Sequence, residues 1–268
     1  MKLNVNHVLS DMKNLMRGTM KLDVNHAISD MKYLISGGVP HEDDFLFFKH
    51  LHKTKNQIVF IDVGANSGQS AISFLMNCPN GRSISFEPNR LYEPVLAGVR
   101  DLLGMARFEF HMCGLSDTEA ELDLYVPHVD GVPYMEEASL TLAQFKKSWV
   151  QDRLQSYGKK IKIIPFRANF KIADNIIRQA DVVKIDAEGA EMQVLRGMQK
   201  LIENTFPIFL IENNDWPNVT EYLKAFGYGA YQYNKDANAL LPKSGASTNC
   251  FYLRSEHFKV IPDCLIAV

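Results

Sequence analysis

IVFIDVGANSGQ, at residues 58–69, is an apolar run that passes directly into a glycine-bearing turn and then into a helix-like pattern. An apolar run without alternation is typical of a strand that is buried on both faces of a parallel sheet. The turn has the spacing Asp-x-Gly-x-x-x-Gly and lacks the Gly-x-Gly-x-x-Gly pattern that admits a dinucleotide pyrophosphate. The stretch therefore predicts a strand, a turn and a helix start that face a ligand smaller or less anionic than a dinucleotide.

A second short strand, SISF at residues 83–86, follows and ends in Glu87-Pro88. A βαβ unit places an acidic side chain at this point, where it binds the two hydroxyls of a ribose. The turn and the acid together predict a site for a nucleoside-containing cofactor. The candidate cofactor-binding residues of these two stretches are Asp62, Gly64, Asn66, Ser67, Gly68, Glu87 and Pro88.

The composition is that of a soluble globular protein of 268 residues, with 46% hydrophobic and 22% charged residues. This length suits one main domain with at most a small appendage. A net charge of -2 gives no field that would gather nucleic acid or an anionic membrane, so neither is expected as a partner.

The four cysteines lie far apart and form no Cys-x-x-Cys pair, so neither a zinc site nor a disulfide framework is expected. No apolar run approaches the roughly 20 residues of a membrane span. Acids and histidines occupy the N-terminal stretch, where a signal peptide would be apolar. We therefore expect a cytoplasmic protein with reduced thiols and no integral membrane segment.

Residues 1–19 and 20–38 form a tandem repeat that is identical at twelve of nineteen positions. Apolar residues recur at helical spacing in each copy, and Gly18 and Gly37 stand where helices end. The repeat predicts two short amphipathic helices, which would form a lid, a homo-oligomerisation element or a membrane-surface anchor. We expect residues 1–39 to form this separate element and residues 40–268 to form the main domain.

The main domain alternates strands and helices. An amphipathic helix is expected within residues 40–57, crossover helices at 70–76 and 91–103, and a third strand at 107–114. This β-α-β-α-β order predicts an α/β fold with a doubly wound, Rossmann-like parallel sheet. Ser116 and Asp117 then stand at the carboxyl end of the third strand, where open α/β sheets bind ligands.

Residues 127–160 have the least regular pattern in the chain, and we expect them to form a loop insertion that faces the substrate. His128, within this insertion, is a candidate proton acceptor. Later in the chain, a strand at 207–211 ends in Glu212. Tyr228–Tyr233 and Asn249–Leu253 are expected to pair as an antiparallel hairpin at the edge of the sheet.

The stretch DVVKIDAEGAE, at residues 181–191, carries charges at the end of an apolar strand. Period-2 spacing puts Lys184 and Asp186 on one face of that strand, and a buried lysine requires a partner. A Lys184–Asp186 pair that only braces the sheet would explain them. However, Asp186, Glu188 and Glu191 lie within six residues, and such acid clusters at strand ends favour a functional site.

Three of these stretches, FIDVGANSG at 60–68, FEP at 86–88 and VKIDAEGAE at 183–191, resemble the FkbM family of S-adenosylmethionine-dependent methyltransferases. The first two are shared by many class I methyltransferases, and the third is more specific to this family. The resemblance covers roughly residues 55–255. It implies a seven-stranded sheet whose last strand is antiparallel, S-adenosyl-L-methionine as cofactor, and O-methylation of a hydroxyl on a sugar, glycan or natural-product metabolite.

The resemblance also implies roles for individual residues. The turn after the first strand would face the cofactor carboxylate, Glu87 would hold the ribose hydroxyls, and Ser116 would flank the adenine. Asp186 would lie nearest the transferred methyl group and accept the acceptor's proton. The other candidate catalytic residues are Lys184, Glu188, Glu212 and His128.

Three alternatives remain open from the sequence. The same acids, with Glu212 and Asn213, would suit a divalent cation, because hard cations prefer oxygen ligands. An NAD-dependent enzyme shares the acid after the second strand but is disfavoured by the glycine spacing. A non-catalytic binding protein would use the duplicated helices as its binding element.

Overall fold

The structure is a computed structural model that describes residues 34, 37–212, 215–243 and 249–261. The predicted helical repeat therefore lies outside the described residues, apart from Leu34, Gly37 and Gly38. None of the helices in the described part of the chain combines the length and the hydropathy that a membrane span requires.

Twelve strands in the described residues form two sheets. They are β1 (Ile58–Val63), β2 (Gly81–Phe86), β3 (Phe108–His111), β4 (Gly114–Ser116), β5 (Ala120–Val129), β6 (Val132–Pro133), β7 (Ile161–Ile172), β8 (Val182–Ile185), β9 (Ile208–Glu212), β10 (Gly229–Asn234), β11 (Ala239–Pro242) and β12 (Asn249–Leu253).

Eight α-helices lie in the same residues. They are α1 (Gln69–Asn77), α2 (Glu93–Leu103), α3 (Ser148–Tyr157), α4 (Ala173–Ile176), α5 (Glu191–Gly197), α6 (Gln199–Thr205), α7 (Trp216–Lys224) and α8 (Ser255–Val260). The helix expected within residues 40–57 is a 3-10 helix, Asp43–His50, which buries Phe45, Phe47 and Phe48.

The main sheet has the strand order β11-β10-β12-β9-β8-β1-β2-β3. The strands β3, β2, β1, β8 and β9 are parallel, and β12 is antiparallel to both of its neighbours. This order confirms the α/β prediction with an antiparallel last strand. The sheet has eight strands in the described residues, not seven, because the chain turns back after β10 and adds β11 at the edge. The expected β10–β12 pairing exists, but it lies inside the sheet and not at its edge.

Alternate residues of the central strands pack into separate cores on the two faces of the main sheet. Ile61 and Val63 pack on one face with helices α5 to α7. Phe60 packs on the other face with α1 and the 3-10 helix at Asp43–His50. Burial of apolar side chains on both faces explains why the first strand reads as a continuous apolar run.

A second sheet, with the order β4-β7-β5-β6, corrects the expectation of a loop insertion at residues 127–160. Strand β5 continues to Val129 and pairs along its whole length with β7, and α3 packs against β5 with Val150 and Leu154 buried. The strand expected at 107–114 is divided between the two sheets, as β3 and β4. The second sheet therefore forms a layer beside the carboxyl ends of the parallel strands.

Candidate active site

A cavity of about 320 Å³ opens at the carboxyl ends of β1, β2 and β8. The second sheet and the segment that connects β6 to β7 form the opposite wall. The residues that line the cavity are Val63, Gly64, Asn66, Glu87, Pro88, Tyr92, Gly114, Leu115, Leu124, Met135, Glu136, Ala138, Ser139, Leu140, Thr141, Phe170, Asp186, Ala187, Glu188, Gly189, Ala190 and Gln193.

The turn after β1 forms the floor of the cavity, and its shape requires glycine. Gly64 has φ +81°, and a Cβ built on it would lie 1.9 Å from the carbonyl oxygen of Asp186. The backbone N–H groups of Gly64 and Ala65 both donate to the carbonyl oxygen of Phe86. Any side chain at Gly64 would therefore push apart the loops that follow β1 and β8.

Glu87 is held in place by the same turn. It is 6% exposed, and its two carboxylate oxygens accept the backbone N–H groups of Asn66 and Asn89, each at 2.8 Å. Burial raises the pKa of Glu87 to about 7, although both hydrogen bonds favour the charged form. A carboxylate has about four lone-pair sites, so Glu87 keeps acceptor capacity for the hydroxyls of a ligand.

Lys184 and Asp186 form the predicted ion pair, with 3.0 Å between the lysine Nζ and the aspartate Oδ2. Lys184 is 5% exposed. Burial opposes its charge, but the carboxylates of Asp186, Asp62 and Glu42 raise its pKa above the ordinary value. Burial raises the pKa of Asp62 to about 6. Lys184 is thus a buried cation surrounded by carboxylates.

The carboxyl groups of Glu212 and Asp186 form a hydrogen bond with each other next to the Lys184 ammonium. A hydrogen bond to Asp186, and then burial, raise the pKa of Glu212 to about 9. Burial opposes the charge of Asp186, but Lys184 and the bond from Glu212 hold its pKa below the usual range. At neutral pH, the protonated carboxyl group of Glu212 therefore donates a hydrogen bond to an ionised Asp186 and does not itself act as a base.

Glu188 lies in the loop after β8, in the left-handed backbone region with φ 50°. Left-handed backbone is costly for a residue with a side chain, and such residues often occur at functional sites. Partial desolvation, followed by the charge of Asp186, raises the pKa of Glu188 to about 7. Glu188 also lines the cavity, where its side chain is exposed and accessible to a bound molecule. Glu87 lines the same cavity and its pKa is raised to a similar value, but its carboxylate is tied to the backbone of Asn66 and Asn89.

Several candidate residues lie near the cavity but do not line it. Asp62, Gly68, Lys184 and Glu212 lie behind the lining residues, and Ser67 lines a neighbouring cavity of about 80 Å³. These residues support the site through packing and charge.

Two other candidates are directed elsewhere. His128 lies on β5, where its Nδ1 is 3.1 Å from the carbonyl oxygen of Val126 and its ring stacks on Phe166. Ser116 lies on β4, and its hydroxyl donates to Asp117 at 3.3 Å. Neither residue lines the cavity. The structure therefore does not bring His128 to the proposed reaction centre, and the role of Ser116 beside the adenine stays a prediction.

Sequence reasoning missed the segment His41–Asp44, which does not line the cavity but whose His41 and Glu42 interact electrostatically with Lys184 and Asp186. The backbone N–H and the Nδ1 atom of His41 are each 3.0 Å from the hydroxyl of Ser73, and burial lowers the pKa of His41 to about 3. Asn249 on β12 donates to Glu42 at 2.9 Å and to Asp44 at 3.0 Å. The run of titratable residues before an aromatic stretch was the available signal.

The second sheet contributes the other missed residues. Leu124 and Phe170 lie on its paired strands, and Ser139 exchanges two backbone hydrogen bonds with Tyr125. No local motif marks these residues, because strand pairing across forty residues or more of chain brings them to the cavity.

Within the described residues, no group of three or more His, Cys, Asp or Glu side chains has the arrangement of a metal site. Asn213, which the divalent-cation alternative requires, lies outside the described residues.

The comparisons with known proteins agree with the motifs. The chain matches the methyltransferase FkbM domain over residues 62–230. It is 22% identical over 176 residues to Methyltransferase 1 of Beauveria bassiana (strain ARSEF 2860), which covers 63% of this chain and 71% of the relative. It is 23% identical over 148 residues to the 2-O-methyltransferase NoeI of Sinorhizobium fredii (strain NBRC 101917 / NGR234), covering 55% of this chain and 60% of NoeI.

Among solved structures, the methyltransferase FkbM of Methylobacillus flagellatus KT is similar, with a TM-score of 0.46 and 14% identity. The match covers 91% of this chain and 57% of that protein, so the chain spans less than two thirds of this structure and of NoeI. The family match includes the carboxyl end of β1, the strands β2, β8 and β9, and the cavity at the carboxyl ends of β1, β2 and β8. The motif resemblance is confirmed: the chain belongs to the methyltransferase FkbM domain family.

Proposed function

We propose that this protein transfers a methyl group from S-adenosyl-L-methionine to a hydroxyl group of a sugar, glycan or natural-product metabolite. The observation that carries this proposal is the charge of the cavity. Four carboxyl groups line it, from Glu87, Glu136, Asp186 and Glu188, and no lysine or arginine occurs among the described lining residues. A negative lining suits a cofactor with a sulfonium and an ammonium group, whereas the pyrophosphate of NAD would be repelled.

The residues present fit this cofactor. Glu87 would accept hydrogen bonds from the ribose hydroxyls, since its carboxylate is already oriented by Asn66 and Asn89. The turn at Gly64–Gly68 leaves room for close approach, because no side chain can occupy Gly64. Pro88 and Leu115 line the same cavity and supply apolar surface for the adenine ring of the cofactor. When bound, S-adenosylmethionine supplies an activated methyl group on its sulfonium sulfur.

The protein's part in the reaction is orientation and proton removal. As the acceptor oxygen forms its new bond to carbon, its hydroxyl proton must pass to a base within hydrogen-bond reach. Asp186 was the first candidate, but its ion pair with Lys184 and the bond from Glu212 make it a weak base. We assign the proton to Glu188, whose pKa of about 7 matches neutral pH, and we assign orientation of the acceptor hydroxyl to Asp186.

The relatives support a hydroxyl acceptor through NoeI, whose name describes a 2-O-methyltransferase. We also propose that the protein forms homo-oligomers through residues 1–39 and that it is located in the cytoplasm. A non-catalytic role for this fold is disfavoured by the retention of Glu87, Asp186 and Glu188 around one cavity.

A thermal-shift comparison of cofactors tests the proposal. S-adenosylmethionine and S-adenosylhomocysteine should each raise the melting temperature of the full chain, because ligands that bind only the folded state stabilise it. NAD at the same concentration should leave the melting temperature unchanged. Stabilisation by NAD alone would assign the site to a dinucleotide enzyme and overturn the proposal.

A further inference from the structure

A groove of about 590 Å³ lies between α5 and α7 and joins the cavity at its edge. Gly189 and Gln193 line both the cavity and the groove, so the two spaces are continuous. Gly189 directly follows Glu188, the proposed base, in the chain. The groove therefore begins one residue from the proposed reaction centre. The other described residues that line it are Met192, Arg196, Asp215, Asn218, Glu221 and Tyr222.

The size of the cavity directs the body of the acceptor into this groove. The cavity volume of about 320 Å³ is near the lower end of the range for ligand pockets, about 300–1,000 Å³, so the cofactor alone would occupy most of it. The neighbouring cavity at Ser67 has only about 80 Å³, whereas the groove has about 590 Å³. We therefore expect the acceptor to place its reacting hydroxyl in the cavity and the rest of its body in the groove.

The floor of the groove is held by the core beneath it. Met192 and Tyr222 are partly buried and pack against the buried cluster between the main sheet and helices α5 to α7. The ring of Tyr222 also contacts the ring of Phe226, with 5.3 Å between the centroids, and its hydroxyl donates to the carbonyl oxygen of Leu195 at 3.5 Å. A surface that is already ordered loses little entropy when a ligand binds.

The polar residues of the groove supply both hydrogen-bond donors and acceptors. Asn218 donates from Nδ2 to both carboxylate oxygens of Asp215, each at 2.9 Å, and this orients the pair. Gln193, Arg196 and Glu221 are exposed along the same groove. Guanidinium groups only donate, carboxylates only accept, and amides do both. This mixture matches sugar hydroxyls, which donate and accept, whereas a phosphate or carboxylate would require donors alone.

We infer that the groove binds the inner sugar units of an uncharged oligosaccharide, whose terminal unit presents the reacting hydroxyl to Glu188. This inference rests on the proposed function and narrows its substrate class to oligosaccharides. The partly buried Met192 and Tyr222 supply apolar surface for the C–H faces of the sugar rings. The carboxyl groups of Asp186 and Glu188 at the cavity disfavour an anionic acceptor.

A panel of matched sugars tests the inference. It contains the methyl glycosides of glucose, galactose, mannose, rhamnose, fucose and N-acetylglucosamine, and uncharged trisaccharides that carry each of these sugars at the non-reducing end. Transfer of the labelled methyl group of S-adenosylmethionine is measured with the full chain. For at least one terminal sugar, kcat/KM should be tenfold or more higher for the trisaccharide than for the methyl glycoside, mainly through a lower KM.

A double variant assigns this preference to the groove. Asn218→Ala combined with Glu221→Ala should raise KM for the preferred trisaccharide at least fivefold and leave its kcat unchanged, because binding away from the reacting hydroxyl is lost. Glu203→Ala is the matched control. It removes another exposed helical glutamate, which bonds to Gln199 at 2.9 Å and lines neither the cavity nor the groove. This control should keep the preference.

The inference is overturned if trisaccharides and methyl glycosides are used equally, if no sugar of the panel is methylated, or if the double variant keeps the full preference. Calorimetric binding of S-adenosylhomocysteine is measured first in every protein. Its absence from the folded wild type would refute the proposed function. Its presence without a preference for trisaccharides would refute the role of the groove alone.

Discussion

Asp186 and Glu188 lie two residues apart in one loop, yet their environments shift their pKa values in opposite directions. Asp186 pairs with Lys184 and accepts a bond from Glu212, so its pKa is low. The side chain of Glu188 is exposed at the cavity but still partly desolvated, and this desolvation, together with the charge of Asp186, raises its pKa to about 7. Neighbouring acids that are separated in this way take different parts in acid–base chemistry.

This separation predicts different pH profiles for two variants. For the wild type, kcat/KM should rise through pH 7, because the raised pKa of Glu188 leaves its carboxyl group protonated below that pH and a base must be deprotonated. With S-adenosylmethionine saturating, so that ionisation of Glu87 does not limit cofactor binding, Glu188→Gln should lower turnover by about 10²-fold or more and abolish the rise. Asp186→Asn should also lower turnover but keep the rise. Formation of S-adenosylhomocysteine, measured from pH 5.5 to 9, gives both profiles.

Wild-type turnover in Glu188→Gln would contradict this assignment. If the increase of kcat/KM with pH disappears in Asp186→Asn but persists in Glu188→Gln, the proton acceptor would be Asp186, as the sequence indicates. Far-ultraviolet circular dichroism and cofactor binding show whether each variant is folded.

The turn after β1 couples two elements through a single glycine. Gly64 and Gly68 both have positive φ, but their surroundings differ. A Cβ on Gly64 would meet the backbone of Asp186 at 1.9 Å, whereas a Cβ on Gly68 would meet a Val99 methyl group at 3.2 Å. A side-chain methyl group moves easily, but the backbone of Asp186, whose N–H donates to the carbonyl oxygen of Val63, does not.

We therefore expect unequal effects from the same substitution at the two glycines. Gly68→Ala should cost about 1–2 kcal/mol of stability, which is the usual penalty of left-handed backbone for an L-residue. Gly64→Ala should cost more than Gly68→Ala and abolish S-adenosylmethionine binding, because the loop that carries Asp186 and Glu188 must move. Urea denaturation and titration calorimetry measure both effects. Equal destabilisation by the two substitutions would show that contact with Asp186 is not the controlling feature.

The parallel strands could be predicted from the sequence because their signals are local. Strand β1 is a continuous apolar run that ends in a glycine turn, and β2 ends in Glu87, so both strands and the acid were placed correctly. Strand β7 was missed because Pro165 interrupts it. The structure tolerates Pro165 since only β5 pairs with that part of β7, and β4 pairs further along, at Phe170–Ile172.

In the candidate site, too, the residues with local sequence signals could be predicted, whereas those that depend on distant contacts could not. The acids after β1, β2 and β8 follow directly from strand ends, and the structure places Glu87, Asp186 and Glu188 on one cavity. His128 was read as a loop residue because the strand predicted at residues 121–126 was ended too early, whereas the observed strand β5 continues through His128 to Val129. Glu42 could not be placed, since its contact with Asn249 joins segments that are more than two hundred residues apart.

At the scale of the whole molecule, the packing of one residue differs from the predicted domain boundary after residue 39. Leu34 is 2% exposed and packs in the same core as Ala65, Tyr92 and Met135, beside the cofactor turn. Removal of a buried leucine side chain usually costs about 2–5 kcal/mol. Leu34 therefore packs with the core of the main domain, although the repeat pattern assigns it to the N-terminal element, and the boundary after residue 39 stays a prediction.

Two truncated proteins distinguish the contribution of Leu34 from that of the repeat that precedes it. A protein that begins at residue 34 should fold and bind S-adenosylmethionine as the full chain does, because every proposed site residue lies after position 40. A protein that begins at Val39 should have a lower midpoint of urea denaturation, because it lacks Leu34. Sedimentation of both truncated proteins and the full chain tests the proposed oligomerisation through residues 1–39. Loss of cofactor binding in a folded protein that begins at residue 34 would place the repeat within the cofactor site.

The central claim is that Glu87 holds the ribose of S-adenosylmethionine, and calorimetric titration of this cofactor into wild type and Glu87→Ala tests it most directly. Charge-assisted hydrogen bonds contribute about 1.5–3 kcal/mol each, so affinity should fall tenfold or more in Glu87→Ala. Glu109→Ala, which removes a partly exposed glutamate on β3, should bind as the wild type does. A folded wild type that does not bind S-adenosylmethionine, or a Glu87→Ala variant that binds it with unchanged affinity, would contradict the account.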